Sequence, residues 1–287
     1  MATRRTFLKM AGMGAIMPLV QTAYASESNK GELPFELGMA SYSLRNFDLG
    51  QALAITKQVG LTKISLKSMH LPLDSTPEQI AEAVTMVENQ GIDLYGGGVI
   101  YMRKEAEVHQ AFDYAKAAGF RVIIGVPNHE FLPLVNEKVQ AYDIKVAIHN
   151  HGPGDKVYPT GASVYEHIKN LDKRIGLCLD IGHCVRIGED PIQAAKQFRD
   201  RLHDVHIKDV TKADKSGSTL VMGQGVVDIP GFLKALLDIK YTGVASFEYE
   251  KDAKNPLPPI AQCVGYVRGV LDMLTWKRLM PRVSKPS

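Results

Sequence analysis

Eight short apolar runs recur along this chain, each separated from the next by a longer segment, and that alternation constrains the fold more than any other feature. The runs fall at 36–41, 62–66, 93–98, 121–126, 145–150, 176–180, 204–208 and 244–249. Between them, 49–60, 77–90, 104–118, 193–201 and 229–239 space their apolar residues by three and four, as a helix with one buried face requires. A shorter helix is expected near 132–140. The segment from Gln51 ends in Gly60, and Thr76-Pro77 supplies a cap and a first-turn proline, so two of these helices carry their own punctuation. Strict strand–helix alternation implies parallel strands joined by crossovers. Eight strands favour closure into a (β/α)8 TIM barrel, and the 287 residues suffice for one such domain of roughly 250 residues plus a leader. No repeat or low-complexity tract divides the chain. The expected organisation is a leader over 1–25, a linker over 26–32, one barrel over 33–280 and a tail over 281–287.

The leader is read from its chemistry. Arg4-Arg5 followed by Phe7-Leu8-Lys9 resembles a twin-arginine export motif, and a weakly apolar stretch runs over 10–20. Ala23-Tyr24-Ala25 then offers small residues around a cleavage site. The apolar stretch is too short to span a bilayer, which takes ~20 residues. Export to the periplasm is therefore expected, with no stable membrane span. Charge follows from the same boundary. The chain carries 34 basic and 31 acidic residues, and three of the basic ones, with none of the acidic, lie in 1–25. The mature chain is thus formally neutral, which argues against a nucleic-acid partner, since a phosphate polymer demands a basic surface. Cys178, Cys184 and Cys263 are the only cysteines, so no complete disulfide framework is expected despite the oxidising compartment. Cys178 sits in an apolar run and reads as core.

Barrel chemistry belongs at the C-terminal ends of the strands. The fifth run ends His149-Asn150-His151, the sixth Asp180-Ile181-Gly182-His183, the seventh His206-Ile207-Lys208-Asp209 and the eighth Glu248-Tyr249-Glu250. Alternate strand residues share a face, so His149 pairs with His151 and His206 with Lys208. His149, Asp180, His206 and Glu248 can therefore converge at the barrel mouth from four adjacent strands. Alone, each is more readily a capping or surface group. Four ionisable residues on four consecutive apolar strands are hard to explain without a shared partner. Two imidazoles and two carboxylates suit one divalent metal, with Mn2+ the first choice and Zn2+, Co2+ or Fe2+ as alternatives.

Leu179-Asp180-Ile181-Gly182-His183, Val205-His206-Ile207-Lys208-Asp209 and Ser246-Phe247-Glu248 resemble the xylose isomerase-like superfamily, often labelled sugar phosphate isomerase/epimerase. The likeness extends over essentially the whole mature chain. It implies a (β/α)8 barrel that holds one divalent metal through Glu, Asp, His and Glu. Carried onto this sequence, it implies ligands at Asp180, His206 and Glu248, with His183 beside the substrate. The chain departs from the pattern at the first ligand: His149-Asn150-His151 stands where many epimerases have Glu-Asn-His. That Glu usually serves as a ligand and as one of two carboxylate bases on opposite faces of the substrate. A metal-bound imidazole is a poor base, so Glu248 remains as the only carboxylate of the pair. If His151 were the ligand instead, His149 would be the candidate base.

The expected chemistry is proton abstraction beside the carbonyl of a non-phosphorylated sugar or keto-sugar, through an enediolate, by Glu248, His183, Lys208 or His151. Reprotonation gives an isomerase or epimerase. Expulsion of a neighbouring oxygen gives a carbon–oxygen lyase, and some members of the resembled superfamily look like 3-keto-glycoside lyases. A non-catalytic periplasmic sugar-binding protein would keep the pocket and lose the base. A nuclease of the apurinic-site type would need a further Asp-x-His pair and a basic face, and neither is evident. The partner is a small-molecule sugar or glycoside, contacted by His183, Lys208, His70, Tyr42 and Arg186, with 211–227 as a loop over the mouth. Exterior helices could support a homodimer. Trp276, in the last helix, reads as packing.

Overall fold

The computed structural model of the chain describes residues 33–279. The expected leader, linker and tail lie outside the described residues. Eight parallel strands close into a barrel: β1 (Glu36–Ala40), β2 (Lys63–Leu66), β3 (Asp93–Met102), β4 (Val122–Pro127), β5 (Lys145–His149), β6 (Ile175–Asp180), β7 (Leu202–Ile207) and β10 (Val244–Phe247). Each pairs with its sequence neighbours, and β10 pairs with β1 to complete the ring. Two further strands, β8 (Asp209–Val210) and β9 (Thr219–Leu220), form a small antiparallel hairpin within the loop that follows β7. The expected (β/α)8 barrel is the fold observed.

The helices α1 (Leu49–Gln58), α2 (Pro77–Asn89), α3 (Glu105–Ala117), α4 (Leu132–Tyr142), α5 (Gly161–Ile168), α6 (Ile181–Ile187), α7 (Pro191–Gln197), α8 (Ile229–Asp238) and α9 (Leu257–Leu279) surround the strands. Asp48, Thr76 and Thr160 each cap a helix through a reciprocal capping box, which satisfies amide groups that would otherwise be orphaned. The main core lies between barrel and helices, where Phe112, Val135, Ile148, Phe232 and Phe247 are fully buried. A smaller cluster of Tyr95, Val122, Ile124, Ala147, Cys178 and Val244 fills the barrel interior, so the barrel is a packed core whose open end alone is free for chemistry. Cys178 is buried and unpaired, as are Cys184 and Cys263. Among the described residues, no helix is long and apolar enough to cross a membrane. Trp276 differs from expectation: it is 63% exposed rather than packed.

The hairpin loop owes its shape to one side chain. The buried carboxylate of Asp209 accepts hydrogen bonds from the backbone N–H groups of Val210, Gly223, Gly225 and Val227 at 2.9, 2.9, 2.9 and 3.2 Å. Removing it strands four backbone donors at once, two of them in buried bonds at Val210 and Val227. Asp209→Ala is therefore expected to cost roughly 3–5 kcal/mol, at 1–3 kcal/mol per unsatisfied group with partial relaxation. Urea unfolding measures that loss, and limited proteolysis should show new cleavage within 211–227.

Candidate metal centre

Four strand ends deliver four donors to one point. His149 closes β5, Asp180 closes β6 and His206 lies near the end of β7. Glu248 follows β10 directly, and its N–H still bonds to the Ile207 carbonyl at 3.1 Å, extending the ladder by one residue. His149 Nε2 lies 3.2 Å from His206 Nδ1 and 3.6 Å from Asp180 Oδ2, while His206 Nδ1 lies 3.3 Å from Glu248 Oε2. All four side chains are buried. Donors bound to one ion at about 2.1 Å sit roughly 3.0–3.4 Å apart in octahedral or tetrahedral arrangements, and these spacings are close to that. Asp180 Oδ2 is buried and faces the Lys208 ammonium at 2.8 Å and His149 Nε2 at 3.6 Å. His149, rather than His151, belongs to this four-donor group.

The neighbours hold the donors in place. Asp180 caps α6, its Oδ1 accepting from the His183 N–H at 2.8 Å, which leaves Oδ2 turned to the centre. Asn150, fully buried between two histidines, accepts from the Asp180 N–H at 2.9 Å and donates to the Asp180 carbonyl at 3.3 Å. Behind His206, Asp204 Oδ2 lies 3.5 Å from Nε2. Asp204 accepts from the Tyr95 hydroxyl at 3.1 Å and the Cys178 thiol at 3.2 Å. Such outer partners fix ring orientation in metal-binding histidines.

Charge also points to a cation. Lys208 lies 2.8 Å from Asp180 Oδ2 and from Glu248 Oε2, and bonds to Glu250 as well. Three carboxylates around one ammonium leave the cluster net negative even with His206 protonated, which favours a cation. Burial alone would raise both carboxyl groups. Instead His183 and Lys208 hold Asp180 well below the carboxylate range, and Lys208 with His206 does the same for Glu248. Burial pushes His149 down to about 3. His206 resists burial because Glu248 faces it, and it is raised to about 8, so protons and metal compete for its Nδ1.

The remaining expected residues fall into three groups. His151 and His183 stand at the mouth, their rings 4.5 and 5.8 Å from that of His149. His151 Nε2 meets the Tyr101 hydroxyl at 3.1 Å, and burial holds His183 down at about 3. Gly152, at φ +72°, makes room for His183: a Cβ there would lie 2.9 Å from the His183 carbonyl oxygen. Lys208 is no solvated strand-end lysine; its stem passes over Gly182, where a Cβ would come within 2.8 Å of Lys208 Cγ. Arg186 reaches His183 Nδ1 at 3.3 Å. Tyr42 lies at the rim, 5.9 Å from the Lys67 ammonium. His70 is engaged within the protein. Its ring nitrogens engage Ser41 Oγ at 2.9 Å and the Phe47 carbonyl at 3.1 Å, so it ties two loops together and has no polar atom left for a substrate.

Sequence reasoning passed over Lys67, Tyr101, Asp204 and Glu250. Tyr101 was hidden because Gly96, Gly97 and Gly98 read as the end of a strand. They are sites of close approach within β3: a Cβ at Gly97 would lie 2.2 Å from the Phe120 ring. Lys67 donates to the Val99 carbonyl at 2.8 Å and faces the Tyr101 ring, and burial lowers its pKa.

Residues 105–268 match the family model described as xylose isomerase-like TIM barrel. An inosose dehydratase from Clostridium botulinum is 27% identical over 137 residues, covering 40% of this chain and 44% of that enzyme. The chain thus spans less than half the length of that curated relative. Among solved structures, an L-ribulose 3-epimerase superposes with a TM-score of 0.71 at 17% identity, covering 88% of this chain and all of that one. The IolI protein with a bound zinc atom superposes with a TM-score of 0.69 at 19% identity, covering 86% and 100%.

Proposed function

The chain belongs to the xylose isomerase-like TIM barrel family, and from that premise we propose that it is a metal-dependent carbon–oxygen lyase acting on a keto-sugar or keto-cyclitol. One observation supports the choice: His149 stands where the epimerase pattern has a glutamate, which leaves Glu248 as the carboxylate available to act as a base in this reading. Elimination asks for a single base, one that takes the proton beside a carbonyl, and for release of an oxygen from the next carbon. Epimerisation asks for two proton carriers on opposite faces. The similarity to an inosose dehydratase supports the same reading, and the zinc of a fold relative supports a divalent ion.

His149, Asp180, His206 and Glu248 would hold the metal, which would supply Lewis acidity toward a substrate carbonyl. Glu248, ionised at neutral pH, accepts the proton from the carbon beside that carbonyl. Lys208 keeps that carboxylate charged and oriented. Electrons of the broken C–H bond form the new C=C bond as the C–O bond of the next carbon breaks. The departing oxygen takes up one proton, matching the one that Glu248 accepted, and leaves as water or an alcohol, so the step balances with no oxidant or reductant. His183 and His151, partly buried and shifted toward the neutral form by desolvation, stand at the mouth where a leaving group would meet them. The sequence-based expectation of export supports a substrate without phosphate, because phosphorylated sugars are normally retained in the cytoplasm.

The test is incubation in D2O with inososes, 3-keto-glycosides and free ketoses, each with Mn2+ and with chelator, products being read by mass spectrometry. Loss of water or of the aglycone that requires the metal is the expected result. A new sugar isomer carrying solvent deuterium, with no elimination from any substrate, would establish an isomerase or epimerase instead.

A further inference from the structure

A cavity of about 310 Å3 opens beside the centre, walled by His183, Arg186, Lys208, Ser218, Glu250 and Lys251. Its cations differ sharply in how they are satisfied. Lys208 has three carboxylate partners, and Glu250 is committed to it. Arg186 has none: among the described residues, no carboxylate lies within ion-pair distance of its guanidinium. It donates to two neutral acceptors, His183 Nδ1 at 3.3 Å and the Lys215 carbonyl at 3.2 Å, and its Nε is buried with no hydrogen-bond partner. The hairpin loop clasps its stem, since a Cβ at Gly217 would lie 3.3 Å from Arg186 Cγ. The guanidinium is thus held in place at the wall of the cavity, partly stripped of water and with no acidic partner. A planar fork in that state is matched by a carboxylate.

We propose that this cavity is a carboxylate subsite, so that the substrate is a keto-sugar acid or keto-cyclitol acid with its carbonyl at the metal centre and its carboxylate on Arg186. The proposal rests on the reading of the metal centre as the site of reaction. The connection is short, because the single ring of His183 spans from Arg186 Nη1 to a point 3.9 Å from Asp180 Oδ2. A phosphate fits less well. Glu250 lines the same cavity and would repel a dianion more strongly than a monoanion.

The experiment uses the full chain loaded with Mn2+ and measures binding by calorimetry, without turnover. The probes are D-glucuronate against D-glucose, D-galacturonate against D-galactose, and D-glucose 6-phosphate. At least one uronate should bind about tenfold or more tightly than its neutral counterpart, the scale of one charge-assisted hydrogen bond. Arg186→Met should erase that preference, and Arg186→Lys, which keeps the charge but not the fork, should restore only part of it. Mn2+ affinity, set by side chains that Arg186 does not touch, reports whether the variants are folded. No acid-over-neutral preference in either pair, including no binding at all, overturns the proposal, as does a preference that survives in Arg186→Met. Tighter binding of the sugar phosphate than of both uronates overturns it too. Failure to bind Mn2+ would instead strike the reading of the centre, while the uronate preference would still report on Arg186.

Discussion

Glu248→Gln is expected to lower turnover about 10²- to 10⁴-fold, the range that a positioned general base supplies. The amide that replaces the carboxylate cannot take up a proton, yet it nearly preserves volume and retains an oxygen facing His206. Lys208 would keep Asp180 and Glu250 as partners, so the variant should remain folded. The measurement is kcat on whichever keto-substrate is turned over, paired with wash-in of solvent deuterium at the carbon beside the carbonyl. Both should fall together. A variant that retained wash-in would assign the proton to another group, with His151 and His183 the nearest imidazoles at the mouth.

Lys208→Met should produce a large loss of stability. Its ammonium is buried among Asp180, Glu248 and Glu250, and removing one member of a buried ionic set leaves its partners uncompensated, at about 3–5 kcal/mol. Methionine keeps enough stem to pack over Gly182, so the loss is chiefly electrostatic. The sign of the metal effect follows. With the ammonium gone, the carboxylates attract a divalent cation more strongly, so Mn2+ should stabilise the variant more than it stabilises the parent. Urea unfolding in chelator and in Mn2+ reads both quantities. A metal-free variant as stable as the parent would show that the ammonium is not what holds these carboxylates ionised.

Much of this architecture was legible in the sequence because it rests on strong periodic signals. Strand starts at Glu36, Asp93 and Lys145 and helix starts at Leu49, Pro77 and Ile229 agree with the structure, since each is marked by an apolar run or a capping residue. The four donors were legible because each stands at the end of an apolar run, where an ionisable residue is conspicuous. The short α5 and α6 were missed. The latter begins immediately after Asp180, so one residue both ends a strand and caps a helix, leaving no loop to mark the change. The choice between His149 and His151 was also out of reach. Both lie on one side of one segment, and only the level of the strand end decides which meets Asp180 and His206. Lys67, Asp204 and Glu250 show the same limit: their roles depend on partners more than thirty residues away or on depth inside the barrel, which local pattern does not encode. Arg186 was visible as a cation near the mouth, but its lack of an acidic partner is a fact of three dimensions.

The pairing of β6 with β7 carries a single irregular step. Leu177 stands opposite Leu202, but Cys178 stands opposite Asp204, so His203 is an extra residue in β7. Its ring fits because residue 176 is glycine, where a Cβ would come within 2.3 Å of His203 Cδ2. Beyond that step Asp180 is level with His206. Without it, Asp180 would be level with Val205, and the two donors would fall out of phase, one turned to the barrel axis and the other to the helices. The bulge therefore absorbs the extra residue and keeps the two strand ends in phase. The candidate metal centre depends on His203 staying out of the ladder: a slip that took it into regular pairing would separate the donors while leaving every one of them in the chain.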